Sequence, residues 1–510
     1  MTKIISGDRE QTHMEALERS MRAAAGFVSL GLDQDGGVGV MLRNDFSFFE
    51  ASRGATNSGA FGVPINWHFK GDEVGYILRD ANAKALVVHA DLLPQVEGVV
   101  PEDCTVLVVE TPPEVAQSYG LTESQCQVPS GMIDWNGWVD SHEPLDAPMP
   151  ASRGAMFYTS GTTGRPKGVR REPIDPSKVM MLMLQASAEA SGFTRTGITA
   201  MATGPIYHSA PNGYANAVMG MGGELIMEPR FDAEDFLRLV DKHKVTLAIM
   251  VPTMFVRLLA LPDDVKSKYD LSSLEFITHG AAPCSPEVKR RMIEWMGPVI
   301  NEYFGGTEVG LITYASSQDA LDRPGTVGKA VTGAHILIFD EEGKRLAPNE
   351  IGEVYVGMEG MPDFTYHGLD DKRAEIGREG LVCIGDIGYV DEDGFLFLCD
   401  RKIEMVISGG VNIYPAEIEA SLITMPGVKD CAVFGIPDEE FGEALAAYVE
   451  PEIPGELTTD DVKGFLRSEL AGYKVPRVVE FADSLPREDS GKIYKRKLRE
   501  PYWEGMDRKI

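Results

Sequence analysis

The sequence predicts an α/β protein built from more than one lobe, and three observations point there. At 510 residues the chain is longer than a single hydrophobic core serves well. Short β-rich runs alternate with helical patterns, the rhythm of crossover units. The pattern then changes twice, near Arg323 and again after Asp400. Early in the chain, Gly71 to Arg79 reads as a helix between β-rich surroundings, with strands at Ala85 to Val88 and Thr105 to Val109. Thr246 to Val251 reads as a buried strand followed by a helix with Pro252 in its first turn. Pro252 and Arg257, with the short length of Val245 to Leu261, argue against a membrane span there. Between Arg323 and Asp400, Ile336 to Phe339 runs into the turn Asp340 to Lys344. Glu353 to Val356 and Asp391 to Phe395 continue the hairpin spacing. This predicts a small sheet or barrel lobe over about 323–399. Beyond it Pro415 opens a helix, Cys431 to Gly435 and Ala444 to Val449 read as strands, and a helix from Thr459 puts Val462, Phe465, Leu466 and Leu470 on one face. The last part reads as a separate α+β domain.

Composition narrows the function classes. Apolar residues make up 43% and charged residues 25%, ordinary globular usage that disfavours wholesale disorder. The net charge of −30 argues against a surface given over to nucleic acid or anionic lipid, so any anionic ligand has to be met by a local basic patch. Six scattered cysteines form no CxxC pair and no disulfide framework. With a polar N-terminus lacking a secretory apolar core, this predicts reduced thiols and a cytoplasmic location.

One segment carries most of the chemistry. Tyr158 to Gly168, reading Tyr-Thr-Ser-Gly-Thr-Thr-Gly-Arg-Pro-Lys-Gly, supplies backbone N–H groups freed by glycine, hydroxyls from Thr159, Ser160, Thr162 and Thr163, and the Lys167 ammonium. Gly161 and Gly164 let the backbone approach oxygens closely, which suits a polyphosphate. A bare Ser-Gly-Thr would read as a surface turn, but a turn seldom needs so many donor types. The Walker form does not fit, because Pro166 precedes the lysine and Gly168 follows it.

This segment resembles the signature loop of the adenylate-forming superfamily of acyl-CoA synthetases, luciferases and peptide-synthetase adenylation domains. Other motifs follow in the family's order over essentially the whole chain, from Ala60 to Asn66 to a lysine motif at Leu485 to Ile493. The resemblance implies two stacked mixed sheets with helices, αβαβα, in a domain over 1–399. It also implies a hinge at 400–404 and a mobile C-terminal domain over 405–510. It assigns His208, in Pro205 to Pro211, to the carboxylate and acyl pocket, and Gly280, Ala281 and Ala282 to a loop along adenine. Within Asn301 to Glu308 it sets Phe304 and Gly305 beside adenine, Thr307 on the α-phosphate and Glu308 on Mg²⁺. Magnesium favours one or two carboxylates with substrate phosphates, so the residue type suits it. Asp386, with Arg401, is implied on the ribose hydroxyls, since a carboxylate accepts two hydrogen bonds at once. Lys492 is the implied catalytic lysine. Carboxylate attack on a phosphate joins two anions, and an ammonium bridging them stabilises the transition state above the ground state. Lys167 is a weaker helper on the outgoing pyrophosphate.

The expected cofactors are ATP, Mg²⁺ and coenzyme A, and the expected reaction is carboxylic acid:CoA ligation through acyl-AMP. After adenylation the C-terminal domain would rotate, presenting Gly409 and Gly410 to the thiol channel. Ile403 stands where the family's hinge usually has aspartate or lysine, which leaves Asp400 or Lys402 for that role. Tyr207 to Gly223 contains no acidic residue, favouring an acid without an amino group: fatty, aromatic or polycyclic. Its small residues either open a roomy acyl pocket or allow close helix packing. Loading of a carrier protein and a catalytically silent nucleotide-binding regulator are the alternatives. Neither a nucleic-acid partner nor a membrane span is expected, and the oligomeric state stays open, a homodimer included.

Overall fold

The structure is a computed structural model that describes residues 2–147, 150–151, 153–159, 166–173, 190–194, 196–409, 411–487 and 493–504. Five parallel strands form one sheet, in the order Phe61–Pro64, Gly37–Met41, Ala83–His89, Thr105–Val109, Ile133–Asp134. Gly37–Met41 is buried along its whole length, as a strand covered on both faces must be.

A second, 14-stranded sheet has a parallel centre of Ile300–Gly306, Phe276–His279, Leu247–Met250, Thr199–Ala202, Glu224–Met227 and Lys3–Ser6. Successive residues of these strands enter two different cores. Leu225, Met227, Leu247 and Ile249 pack with the first sheet and with helices His13–Ser29 and Phe46–Ser58. Ile226, Ala248 and Met250 pack with Phe236, Phe255 and Met292 of helices Ala233–His243, Pro252–Leu259 and Pro286–Met296. Because side chains alternate across a strand, each strand seals both layers at once, and the αβαβα stack follows. Pro252 occupies the first helical turn after Leu247–Met250.

The strands expected in a small lobe have their own core, which includes Val169, Phe304, Ile338, Val354, Val356 and Leu396. They are also continuous with the long sheet: Thr326–Ala330 pairs with Gly310–Ala315 on one side and Phe395–Arg401 on the other. Phe157–Thr159, Lys167–Arg171 and Phe364–Tyr366 make a separate antiparallel sheet of three strands. The C-terminal part folds around the hairpin Val428–Asp438 and Gly442–Pro451. Helix Thr459–Glu469 is held by a capping box between Thr458 and Asp461 and buries Val462 and Leu466, with Phe465 and Leu470 packed beside them. All six cysteines are free thiols. Among the described residues no helix is long and apolar enough to cross a membrane.

Phe236 is fully buried between sheet and outer helices. Phe236→Ala is expected to destabilise that layer by about 3–5 kcal/mol, read as a lower urea midpoint of the N-terminal transition.

Candidate active site

The loops at the ends of the parallel strands and the antiparallel extension enclose one open cleft of about 3190 Å³. It is lined by Thr159, Lys167, His208, Ala281, Ala282, Phe304, Gly305, Thr307, Glu308, Asp386 and Arg401. Thr159 and Lys167 are cross-strand partners, so both feet of the glycine-rich segment stand at the cleft wall. Ser160, Gly161, Thr162, Thr163 and Gly164 lie outside the described residues, as do Gly410 and Lys492. The residues flanking 488–492, Arg487 and Ile493, pair in an antiparallel bridge and line the same cleft. Arg487 also forms an ion pair with Asp430, and burial, followed by the neighbouring Arg257, pushes its pKa down to about 10.

The Glu308 carboxylate is positioned by groups that the sequence does not single out. Tyr366 donates its hydroxyl to Glu308 Oε1 at 3.1 Å, and the Lys167 ammonium sits 5.2 Å from the centre of the Tyr366 ring. Burial first, then the Glu308 charge, raises the Tyr366 pKa far above the phenol's usual range, so the hydroxyl stays a donor. Arg171, four residues after Lys167, donates to the backbone oxygens of Thr307 at 2.7 Å, Glu308 at 2.8 Å and Pro362 at 2.9 Å. Burial lowers its pKa while Glu308 and Asp363 raise it. Charge-assisted donation to three carbonyls fixes the 305–308 turn against the small sheet. Gly305 is required within that turn, since a Cβ there would stand 2.1 Å from the Gly310 oxygen. Thr307 Oγ1 lies 3.0 Å from Ser209 Oγ, linking the turn to the start of helix Ser209–Gly220.

His208 is the N-cap residue of that helix. Its ring lies 4.3 Å from Tyr207, which in turn meets Trp67 edge-on at 4.5 Å. Asp386 and Arg401 are cross-strand partners joined by a 2.8 Å ion pair from Arg401 Nε to Asp386 Oδ1. The two expected ribose contacts therefore form one unit at the cleft edge.

Two of the expected contact residues are not cleft-lining. Gly280 is spacing: a Cβ there would come within 2.7 Å of the Tyr303 backbone oxygen, so glycine lets its loop lie against the strand that carries Phe304. The next residue, Ala281, adopts a left-handed φ of 67°, a conformation that costs a non-glycine residue on the order of 1 kcal/mol and persists where neighbours enforce it. Gly409 donates its N–H to Phe441 at 2.8 Å within the C-terminal domain, away from the cleft wall.

Around the expected hinge, Asp400 Oδ2 accepts from the Ala416 N–H at 3.0 Å, Lys402 pairs with Glu353, and Ile403 is exposed. Burial raises the Asp400 pKa, opposed by Lys495 and by the backbone N–H groups it accepts from.

As for a metal, no group of three or more His, Cys, Asp or Glu side chains among the described residues is placed to hold one. The Glu308 carboxylate faces the cleft outside any such group, with lone pairs beyond the one Tyr366 uses. That donor set fits Mg²⁺, which keeps waters and substrate phosphates, and does not fit an all-protein metal cage.

Residues 1–362 match the model of the AMP-binding enzyme family, and residues 417–492 match its C-terminal domain. The fatty acid–acyl-carrier-protein ligase ScoC of Streptomyces coeruleorubidus is 31% identical, across 98% of this chain and 92% of that one. A long-chain-fatty-acid–CoA ligase of Bacillus subtilis is 30% identical, across 96% and 90%. Among solved structures, ATP-bound MatB from Rhodopseudomonas palustris superposes with a TM-score of 0.83 at 26% identity, covering 99% of this chain and 96% of that one.

Arg171→Met keeps the bulk and removes the three donated bonds. We expect ATP affinity to fall about 10- to 100-fold by equilibrium dialysis, the scale of one or two lost charge-assisted bonds, with the circular dichroism unchanged. ATP binding as in the wild type would contradict the role given to Arg171.

Proposed function

The chain belongs to the AMP-binding enzyme family and is an ATP-dependent acid ligase working through an acyl-adenylate, and on that premise we propose that it joins an apolar carboxylic acid to coenzyme A. The observation that carries this reading is the arrangement of Lys167, Thr307 and Glu308 on one cleft with Asp386 and Arg401 and with both neighbours of the 488–492 segment.

In the first half-reaction a carboxylate oxygen attacks the α-phosphorus of ATP, the bond to the bridging oxygen breaks, and pyrophosphate leaves. Asp386, steered by Arg401, would accept the ribose hydroxyls, and Phe304 with the 280–282 loop would flank adenine. Thr307, set by Arg171 and Ser209, would donate to an α-phosphate oxygen. Lys492 would bridge carboxylate and phosphate, and Lys167 would follow the leaving pyrophosphate. Bound at Glu308, Mg²⁺ would neutralise charge on the phosphoryl oxygens. In the second half-reaction the thiolate sulfur attacks the acyl carbon and AMP leaves. Lys492 has no part in this step and would withdraw with the C-terminal domain. Asp400 and Lys402 tie the hinge segment to either side, to Ala416 and to Glu353, which supports a pivot there.

Coenzyme A as acceptor is supported by the Bacillus subtilis relative, and a carrier protein by the Streptomyces coeruleorubidus relative. The lack of any acidic residue from Tyr207 to Gly223, with Ala210, Gly213 and Ala217 on the cleft wall, supports an apolar acid without an amino group. Fatty, aromatic and polycyclic acids share that description.

Hydroxylamine trapping over a panel of such acids, with and without CoA, separates the acceptors. CoA-dependent AMP release supports the thioester reading, and release only with a carrier protein bearing a free phosphopantetheine thiol overturns it. Lys492→Ala is expected to slow acyl-AMP formation about 10²–10³-fold or more, while thioester formation from supplied acyl-AMP stays near the wild-type rate. Equal loss of both steps would remove Lys492 from its assigned role.

A further inference from the structure

Arg53, on helix Phe46–Ser58, lines the cleft, yet no carboxylate among the described residues pairs with it. Its Nε and Nη2 donate to Asn216 Oδ1 at 3.3 and 3.2 Å, and Nη2 reaches Met219 Sδ at 3.7 Å. Both acceptors are neutral. Burial lowers the guanidinium pKa with no acidic group among the described residues opposing it, and the nearby His13 is pushed down by burial and then by Arg53 itself. A guanidinium has five N–H donors in a planar fork. Half-buried and facing the cleft, its charge and remaining donors call for an oxygen acceptor from the ligand.

Helix Ser209–Gly220 sets where that acceptor belongs. Ser209, in contact with Thr307, stands at the end where the acid is activated, and Asn216, in contact with Arg53, lies seven residues on. That is two turns along one face, about 10 Å at 1.5 Å per residue. Between them the path is open among the described residues: a Cβ on Gly213 would touch none of their atoms within 4 Å. The buried Tyr214 hydroxyl also lines the cleft and has no hydrogen-bond partner among the described residues.

We infer that the acid carries a second oxygen acceptor, a carboxylate or a ring ketone, about two helical turns from the carboxylate that is activated, and that Arg53 selects it. This rests on reading the cleft as the acyl site. The helix is then a ruler, with Thr307 at one end and a forked donor at the other. Acids of this kind are otherwise apolar, in keeping with Ala210, Gly213 and Ala217 on the wall.

The test pairs each oxygenated acid with its deoxygenated twin: α,ω-dicarboxylic against monocarboxylic acids of equal length, and keto-bearing against plain polycyclic acids. Adenylation is read by hydroxylamine trapping, which needs no thiol, so failure of the CoA assignment is scored separately. Wild type should prefer the oxygenated twin in one arm by about 10- to 100-fold in kcat/KM, mostly through KM, the scale of a charge-assisted hydrogen bond. The arm that responds identifies the acceptor. R53M should bring that ratio towards one, and R53K should keep part of it. Equal kcat/KM for both members of every pair in wild type overturns the inference even if R53M fails to fold, and so does an R53M ratio equal to the wild-type ratio.

Discussion

Arg171 is the contact on which the rest of the cleft depends. Its guanidinium joins three carbonyl oxygens from two segments, at Thr307, Glu308 and Pro362, to a strand that begins with Lys167. Through it Glu308, Thr307 and Lys167, the residues proposed for the metal, the α-phosphate and the pyrophosphate, share one rigid frame. The chain carries a net charge of −30, so a triphosphate cannot rely on the general field of the protein. Cations have to be placed one by one, and a cation already committed to holding backbone is what lets the free ones be aimed. Electrostatic stabilisation of a transition state depends on this kind of preorganisation.

What the sequence makes legible is what is local. The strand-helix step at Leu247–Met250 and Pro252–Leu259 shows in a β-rich run followed by proline, and the helix at Thr459 shows in its apolar spacing. The lobe over about 323–399 is visible in its hairpin turns, but its hydrogen-bonded continuity with the long sheet is not. Nothing near Thr326 announces pairing with Phe397. The same division holds in the site. Glu308, Asp386, Lys167 and His208 sit inside short motifs whose composition suits their chemistry, and all four line the cleft.

Arg171, Tyr366 and Arg53 are not legible, because each acts through a partner far along the chain. The separation from Arg171 to Thr307 is 136 residues and from Arg53 to Asn216 is 163. A lone arginine in a strand or helix carries no local sign of which carbonyl it will hold. Gly280 has a use that its motif does not announce: its smallness lets Tyr303 approach, a packing role beside the expected ligand contact. Asp386 and Arg401 read as two independent contacts, and antiparallel register makes them one.

The strand Lys3–Ser6 fills a place in the long sheet beside Glu224–Met227, with Ile4 opposite Leu225. On the ribosome its partner is made about 220 residues later, a wait on the order of tens of seconds at ordinary synthesis rates. Until then this segment has only its own hairpin with Arg9–Thr12 to shelter Ile4, a side chain fully buried in the finished molecule. The topology thus leaves this segment without its sheet partner while the chain grows and sets the closing of that edge of the sheet late in biogenesis.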